Sequence, residues 1–283
     1  MKTIKVKTPA KINLTLEILN KREDGFHNIQ SIMQTVNLYD FLTFSLNNAK
    51  GITIKLSGNS NEIPYNEKNI VYKAATLFLQ TAGINNAELC IDIQKNIPVA
   101  AGLAGGSSNA AGTIYALNKL FDNVLKADEL EQLCAKLGSD LNFCLTGGCK
   151  LCTSRGEITE DLPFVKQSVS LIKPKSLGIS AKEAYTRFAQ SLDKSYPDNT
   201  TKLKNLLLKG DFDKSLIYNS FEKALFPYYK ELSDIKNNVE NSLMSGSGST
   251  FFVLENKLTT SLDRTKYDIF ENLEMVNSGV EQA

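Results

Sequence analysis

The feature that most limits how this chain can fold is a run of small residues, Gly102 to Ser108, between a strand pattern and a helix pattern. Apolar and polar residues alternate from 89 to 93, which predicts a strand, and a helix-spaced apolar stripe begins at Ala111. Glycines let a backbone approach an anion closely, and a helix N-terminus offers unpaired N–H groups at its positive end. Ser107 and Ser108 add hydroxyl donors, either of which could also face a magnesium ion. The run therefore predicts a phosphate-binding turn.

Two familiar phosphate-binding motifs do not fit this run. A Walker A loop needs G-x4-G-K-[ST], but Ser107 stands five residues after Gly102 and no lysine follows. The dinucleotide fingerprint G-x-G-x-x-G needs glycine at positions that Ala104 and Ser107 occupy. The sequence therefore indicates another kind of phosphate loop.

Strand and helix patterns are mixed along the chain. Apolar residues at 12, 14, 16 and 18 alternate with polar ones, which predicts a strand with one buried face. Lys11 and Asn13 then lie on the opposite face, away from the core. A further short strand is predicted from Thr250 to Leu254. Because strands and helices do not follow a regular βαβα order, the pattern favours an α+β fold over a doubly wound sheet.

Helix boundaries are predicted from capping residues. Helices are expected to begin at Asn69, at Asp128 with Glu131 three residues on, and at Ser180 with Glu183 three residues on. Gly83 and Gly138 are expected to end the first two of these helices. Immediately after Gly138 stand Ser139 and Asp140, where a short loop can present a carboxylate.

The charge is nearly balanced, with 32 Lys+Arg against 31 Asp+Glu and a formal net charge of +1. Nucleic-acid binders usually carry a basic excess, since phosphate neutralisation supplies much of their affinity, so no nucleic-acid partner is expected. No apolar run approaches the ~20 residues of a membrane span, and the N-terminus lacks a signal-peptide apolar region. We therefore expect a cytoplasmic protein that does not engage a membrane.

The five cysteines are odd in number and follow no disulfide-framework spacing. Cys144, Cys149 and Cys152 form C-x4-C-x2-C, which resembles part of an iron–sulfur motif. The alternative, small apolar side chains within a strand-rich stretch of a reduced protein, is favoured.

Three blocks of the sequence together resemble the GHMP kinases, the family of galactokinase, homoserine kinase and mevalonate kinase. They are Pro9–Leu14, Pro98–Asn109 and the glycine-rich Met244–Ser249. The resemblance implies a two-domain α+β fold, with an S5-like N-terminal domain over residues 1–160 and a ferredoxin-like C-terminal domain over 161–283. The active site would lie in the cleft between the domains.

Further blocks resemble one branch of that family. Lys21–His27 is similar to the R-x-D-G-[YF]-H signature of the members that phosphorylate the 2-hydroxyl of 4-diphosphocytidyl-2-C-methyl-D-erythritol, in the non-mevalonate route to isoprenoid precursors. Leu137–Phe143 resembles their L-G-[AS]-D-[VI]-P-F block, with Asn142 where proline is usual, and Arg155–Ile158 resembles their G-x-G-E region. Ala100, Ala101 and Ala104 stand where the family often has glycine. Because alanine needs more room near the phosphates than glycine does, these three residues bear on the affinity for the nucleotide.

The resemblance also implies roles for single residues. Asp140 would be the catalytic carboxylate, and Lys11 the cation that keeps it ionised and draws charge from the attacking oxygen. ATP would be bound by Asn69, also a candidate N-cap, and by Pro98, Val99, Ala100, Ala101, Gly102, Leu103, Ala104, Gly105, Gly106, Ser107 and Ser108. The substrate would be bound by Asn13, Phe26, His27 and Tyr185, the aromatic residues on either side of a cytosine ring and His27 at its polar edge.

The implied cofactors are ATP and Mg²⁺. No metal-ligand cluster is visible in the sequence, so the magnesium ion is expected to be carried mainly by the ATP phosphates. The protein is expected to act as a monomer or weak homodimer on a small molecule. Two alternatives stay open: another GHMP kinase of the homoserine or mevalonate type, and an RNA-binding module of S5-like fold.

Overall fold

Two β-sheets and eight α-helices make up the computed structural model, which describes residues 1–283. The strands are β1 (Lys2–Lys21), β2 (His27–Asn47), β3 (Ile52–Gly58), β4 (Ala87–Gln94), β5 (Cys149–Ser154), β6 (Ile158–Asp161), β7 (Ser168–Pro174), β8 (Tyr218–Asn219), β9 (Leu243–Met244), β10 (Phe251–Val253), β11 (Tyr267–Glu274) and β12 (Glu281–Gln282). The helices are α1 (Ile70–Thr81), α2 (Gly105–Leu120), α3 (Ala127–Leu137), α4 (Leu141–Thr146), α5 (Ala181–Gln190), α6 (Asn199–Leu207), α7 (Ser220–Leu225) and α8 (Lys230–Asn238). None of these helices has the length and apolar character needed to cross a membrane.

The sheets confirm the α+β fold. The larger sheet has eight strands in the order β12-β1-β2-β4-β3, with β5 also on β2, β6 on β5, and β8 on β1. The smaller sheet has the order β11-β7-β10-β9, and all its pairings are antiparallel. The chain beyond residue 161 thus forms the smaller sheet but returns β8 and β12 to the larger one. The domain boundary between residues 160 and 161 stays a prediction.

Strand β1 is covered on both of its faces. Ile12 is fully buried as the alternation predicts, but Lys11 and Asn13 on the other face are only 4% and 1% exposed. Leu203 and Leu207 of α6 belong to the same apolar cluster as Ile12. On the side of Lys11, Asp140 at the start of α4 pairs with the ammonium, and the loop around Gly246 approaches it. Alternation identified the two faces, but it could not show that later parts of the chain cover the polar one.

Two of the predicted helix starts are confirmed by their capping bonds. The Asn69 side-chain oxygen accepts the Val71 N–H at 2.9 Å, and the Ser180 hydroxyl accepts the Glu183 N–H at 3.2 Å. The predicted end of α1 is also confirmed, since Gly83 follows the helix with φ +67°. Local polar residues therefore set these boundaries, as capping chemistry predicts.

Two other predicted boundaries differ from the structure. Helix α3 begins at Ala127 with Lys126 as its N-cap, two residues before the predicted Asp128. The Glu129 carboxylate accepts the Lys126 N–H at 2.9 Å, so Glu129 rather than Glu131 completes the first turn. Helix α2 begins at Gly105, so the second half of the glycine–serine run forms a helical turn. In both places the helix extends further toward its N-terminus than the apolar stripe alone indicated.

Candidate active site

A cavity of about 1170 Å³ contains most of the residues that the sequence singled out. Its lining includes β1, the glycine loop, the start of α2, the residues before α4, and α5. Six cationic side chains line it against two carboxylates: Lys11, Lys21, Lys68, Lys95, Arg155 and Lys182, with Glu62 and Asp140. Lys95 and Arg155 are paired with Asp40 and Glu157 just outside the lining, yet cationic side chains still outnumber carboxylates around the cavity, which suits polyanionic ligands.

The glycine loop presents donors toward this cavity because its carbonyls are bonded elsewhere. The Ala100 and Ala101 carbonyls accept the N–H groups of Ile179 and Thr250, both at 3.2 Å. The Gly102 carbonyl accepts the Ser245 hydroxyl at 3.0 Å. All three donors come from the second half of the chain, which therefore holds the loop in place.

The amides at the start of α2 are free to bind an anion. The N–H groups of Gly105, Gly106 and Ser107 have no acceptor in the protein, as expected for the first turn of a helix. The helix runs for 16 residues, so its dipole adds positive potential at this end. The predicted phosphate-binding turn thus has the geometry of an anion site.

Two of the predicted ATP-binding residues do not line the cavity. The Ser108 hydroxyl is buried and donates to the Pro9 carbonyl at 2.7 Å. The Leu103 side chain is buried in the core, and its carbonyl accepts the Lys11 N–H at 3.1 Å. Both residues fasten the loop to β1. The other predicted ATP-binding residues line the cavity: Asn69, Pro98, Val99, Ala100, Ala101, Gly102, Ala104, Gly105, Gly106 and Ser107.

Lys11, Asn13 and Asp140 form a polar cluster in the same cavity. The Lys11 Nζ lies 3.7 Å from Asp140 Oδ2 and donates to Asn13 Oδ1 at 2.6 Å. The Asn13 amide donates in turn to the Ser31 hydroxyl at 2.8 Å, which fixes its orientation. Asp140 immediately precedes α4, yet its carboxylate makes no capping hydrogen bond and its side chain is 29% exposed. The carboxylate is therefore available to a ligand, beside a buried cation.

The aromatic residues meet at another part of the cavity. His27 stacks on Tyr185 with ring centroids 5.2 Å apart and an interplanar angle of 12°. Phe221 packs its edge against Tyr185 at 4.9 Å, which supports that ring from behind. Phe26 is 52% exposed and lines the cavity beside His27. All three predicted base-binding residues thus line the cavity, but His27, which was expected at the edge of the base, lies against the face of Tyr185. Their role in binding a base stays a prediction.

His27 is neutral at neutral pH in this setting. Burial lowers the pKa of its imidazole, and the nearby positive charges of Lys21 and Lys194 lower it further. A neutral imidazole carries one N–H donor and one acceptor nitrogen. It can therefore bind a partner that has both kinds of group.

Sequence reasoning missed an ion pair that holds the approach to the glycine loop. The Asp40 carboxylate, fully buried on β2, pairs with the Lys95 ammonium and accepts the N–H groups of Asn96 and Ile97 at 2.7 and 2.8 Å. The strand pattern around Asp40 did not indicate that this residue would form an ion pair, because its partners lie more than 50 residues away in the sequence. Arg155 was noticed only as part of a motif, yet it too lines the cavity.

Comparisons with known proteins agree with this geometry. Residues 69–148 match the family model of the GHMP kinases N terminal domain. A 4-diphosphocytidyl-2-C-methyl-D-erythritol kinase from Clostridium acetobutylicum is 38% identical over 255 residues, which cover 87% of this chain and 89% of the relative.

Two solved structures share the fold. A 4-(cytidine 5'-diphospho)-2C-methyl-D-erythritol kinase superimposes with a TM-score of 0.76 at 27% identity, over 96% of this chain and 100% of the other. A homoserine kinase from Cytophaga hutchinsonii has a TM-score of 0.75 at 22% identity, over 100% of this chain and 98% of the other. The backbone shape is thus common to kinases of different substrates, and the side chains of the cavity must distinguish them.

Proposed function

This chain belongs to the 4-diphosphocytidyl-2-C-methyl-D-erythritol kinase family of the GHMP kinases, and we propose that it phosphorylates the 2-hydroxyl of that cytidylyl alcohol with ATP, in the non-mevalonate route to isoprenoid precursors. The reaction forms a bond between the substrate oxygen and the γ-phosphorus and breaks the bond from that phosphorus to the β–γ bridging oxygen. The hydroxyl proton is released and ADP leaves.

The observation that carries this proposal is the continuity of one cavity from an anion site to an aromatic site. The free amides at the start of α2, the Lys11–Asp140 pair and the His27–Tyr185 stack all line it. The base and the hydroxyl of a cytidine diphosphate linked to an alcohol suit the aromatic stack and the Lys11–Asp140 pair, and the phosphates of ATP suit the free amides. Two polyanions in one site also match the six cationic side chains of the lining.

We assign the chemical step to Lys11 and Asp140. The Asp140 carboxylate accepts the hydroxyl proton, and the Lys11 ammonium stabilises negative charge on the attacking oxygen. Phosphoryl transfer depends mostly on alignment and charge neutralisation, so a carboxylate held beside a cation is sufficient as the acceptor. Asn13, which is bonded to Lys11, orients the polar part of the alcohol.

We assign ATP to the glycine loop and Mg²⁺ to the ATP phosphates. Asn69 and the loop residues that line the cavity bind the nucleotide. Leu103 and Ser108 do not line the cavity, and their hydrogen bonds to β1 hold the loop in place. Asp140 and Ser107 offer oxygen atoms of the kind that Mg²⁺ prefers, so the residues present fit an ion that is bound mainly through phosphate. The ion would neutralise charge on the transferred phosphoryl group.

We assign the base to the aromatic end of the cavity, against the free face of Phe26 and with the ring nitrogens of His27 at its polar edge. Because His27 already stacks on Tyr185, the tyrosine supports the histidine in this arrangement and does not form the second face of a sandwich around the base. A neutral imidazole can donate to one base atom and accept from the next. We further propose that the enzyme works as a monomer or weak homodimer in the cytoplasm, without nucleic acid or membrane. The five cysteines are free, and four of them are buried, which suits a reducing compartment.

A coupled assay for ADP release across a panel of alcohols tests the proposal. The panel contains the cytidylyl substrate, its uridylyl analogue, homoserine and mevalonate. We expect turnover with the cytidylyl compound alone, because uracil reverses a donor and an acceptor at the edge that His27 faces. Turnover with homoserine or mevalonate and none with the cytidylyl compound would overturn it. A gel-shift assay at physiological salt tests the RNA-binding alternative, for which we expect no binding.

A further inference from the structure

Arg155 holds one face of the Phe26 ring. It lies on the turn between β5 and β6, and its guanidinium carbon is 5.0 Å from the centroid of Phe26. A cation at this distance is attracted to the electrons of the ring face. Since the guanidinium covers one face, a base can stack only on the other.

Arg155 is itself fixed by Glu157. The Glu157 carboxylate accepts the Arg155 N–H at 2.8 Å and the Arg155 Nε–H at 3.3 Å. The side chains of Arg155 and Glu157 are 29% and 17% exposed, so this contact is partly shielded from water. A guanidinium held through its Nε keeps one orientation, whereas that of a free surface arginine rotates.

A second arginine joins this turn to the turn that carries Phe26. Arg22 Nη1 donates to the Ser154 hydroxyl at 2.9 Å, and Arg22 Nη2 lies 3.0 Å from Asp24 Oδ2. The Asp24 carboxylate accepts the Phe26 N–H at 3.1 Å. The two turns are therefore linked by the hydrogen bond from the Arg22 side chain to the Ser154 hydroxyl and by the contact of Arg155 with the ring. Phe26, although half exposed, is held in one orientation by this arrangement.

We propose that Arg155 is a positioning residue of the base subsite, which orients Phe26 so that its free face is presented to the cytosine ring. This inference rests on the proposed function for the identity of the base. The backbone of the Arg155 turn does contact the segment of Asp140, through Gly156 and the Glu157 carbonyl, but the Arg155 side chain lies over Phe26 and makes no contact with the glycine loop or with Lys11 and Asp140. Loss of Arg155 should therefore weaken binding of the cytidylyl substrate alone.

A double-mutant cycle with Phe26 tests this inference. Arg155→Ala should raise KM for the cytidylyl substrate about 5-fold, while kcat and KM for ATP stay within about 2-fold. Arg155→Lys should recover only part of the loss, because an ammonium can remain near the ring but lacks the Nε–H that Glu157 holds. In a Phe26→Leu background, where no aromatic face exists, Arg155→Ala should add less than about 2-fold.

Lys5→Ala is the matched control, since Lys5 lies 5.0 Å from the Phe41 ring, at the same distance but outside the cavity. It should leave KM for both substrates unchanged. Two results would overturn the inference: an unchanged KM in Arg155→Ala, or an equal effect of Arg155→Ala with and without the Phe26 ring. An unmodified enzyme that fails to turn over the cytidylyl substrate would instead refute the proposed function.

Discussion

Gly102→Ala tests whether the second half of the chain holds the phosphate loop as closely as the structure indicates. Gly102 has φ +74°, and a Cβ there would lie 2.1 Å from the Ser245 carbonyl oxygen and 3.0 Å from the Gly248 nitrogen. The left-handed conformation costs alanine roughly 1–2 kcal/mol. Overpacking adds about 1–3 kcal/mol, because both neighbours are backbone atoms that cannot rotate away. We therefore expect the free energy of unfolding to fall by about 2–5 kcal/mol.

Gly83→Ala separates backbone strain from collision. Gly83 has φ +67°, close to that of Gly102, but a Cβ there would meet nothing within 4 Å. Its substitution should cost only the strain, about 1–2 kcal/mol, and leave KM for ATP unchanged. Gly102→Ala should also raise KM for ATP, since the loop must move away from Ser245. Urea denaturation and ATP titration of both variants measure this. If Gly102→Ala costs no more than Gly83→Ala, the contact between the two glycine-rich segments is not as described.

Four further predictions follow from the same geometry. Asp140→Asn and Lys11→Met should each lower kcat by about 10²–10⁴, and the double variant should be little worse than either, because the two residues act as one unit; full activity in Asp140→Asn would remove it from the mechanism. His27→Ala should raise KM for the cytidylyl substrate about tenfold and leave KM for ATP unchanged, as steady-state kinetics would show; normal binding would make the histidine incidental. Since the folded-state pKa of His27 is lowered, its contribution to stability is full above the unfolded pKa of about 6.5 and is lost as pH falls through the folded value. The urea midpoint should thus drop further between pH 7 and 5 in the unmodified protein than in His27→Ala, and equal drops would contradict the assignment. Ala104→Gly, at φ +57°, should raise the free energy of unfolding by about 0.5 kcal/mol, because relief of left-handed strain exceeds the added chain entropy; a loss of stability would argue against that conformation.

Local chemistry made part of this molecule predictable from its sequence. Asn69 and Ser180 cap helices because their side chains reach N–H groups two or three residues away, which needs no knowledge of the fold. The glycine run indicated an anion site because it leads directly into a helix, whose first N–H groups are free, and this too is a local property of the sequence. Family motifs then indicated Lys11, Asp140 and His27, and the helix predicted from Ser180 offered Tyr185 as a candidate. All four line one cavity although they are up to 174 residues apart.

What the sequence did not show depends on contacts between distant segments. In the sequence, Asp40 resembles any other polar residue of a strand. Only the fold shows that Lys95, directly after β4, pairs with it. Lys11 looks like a solvent-facing lysine until the loop around Gly246 covers it. Each of these polar groups is buried by a segment that is distant in the sequence. The residues next to the group do not indicate that this segment will pack there. Periodicity therefore identified which face is polar but could not identify what packs against it.

The alanines in the phosphate loop show how such distant contacts compensate for a local departure. Ala100 keeps the left-handed backbone that glycine adopts readily, with φ +50°, and so carries strain. Its methyl group occupies space beside Gly178, where an added Cβ would lie 3.2 Å from the Ala100 Cβ. The next residue, Ile179, donates its N–H to the Ala100 carbonyl at 3.2 Å and holds the strained backbone in place. A methyl at 178 would crowd the one at 100 and force a shift of a few tenths of an ångström, so the backbone position of the loop at Ala100 depends on residue 178 as well as on the loop itself.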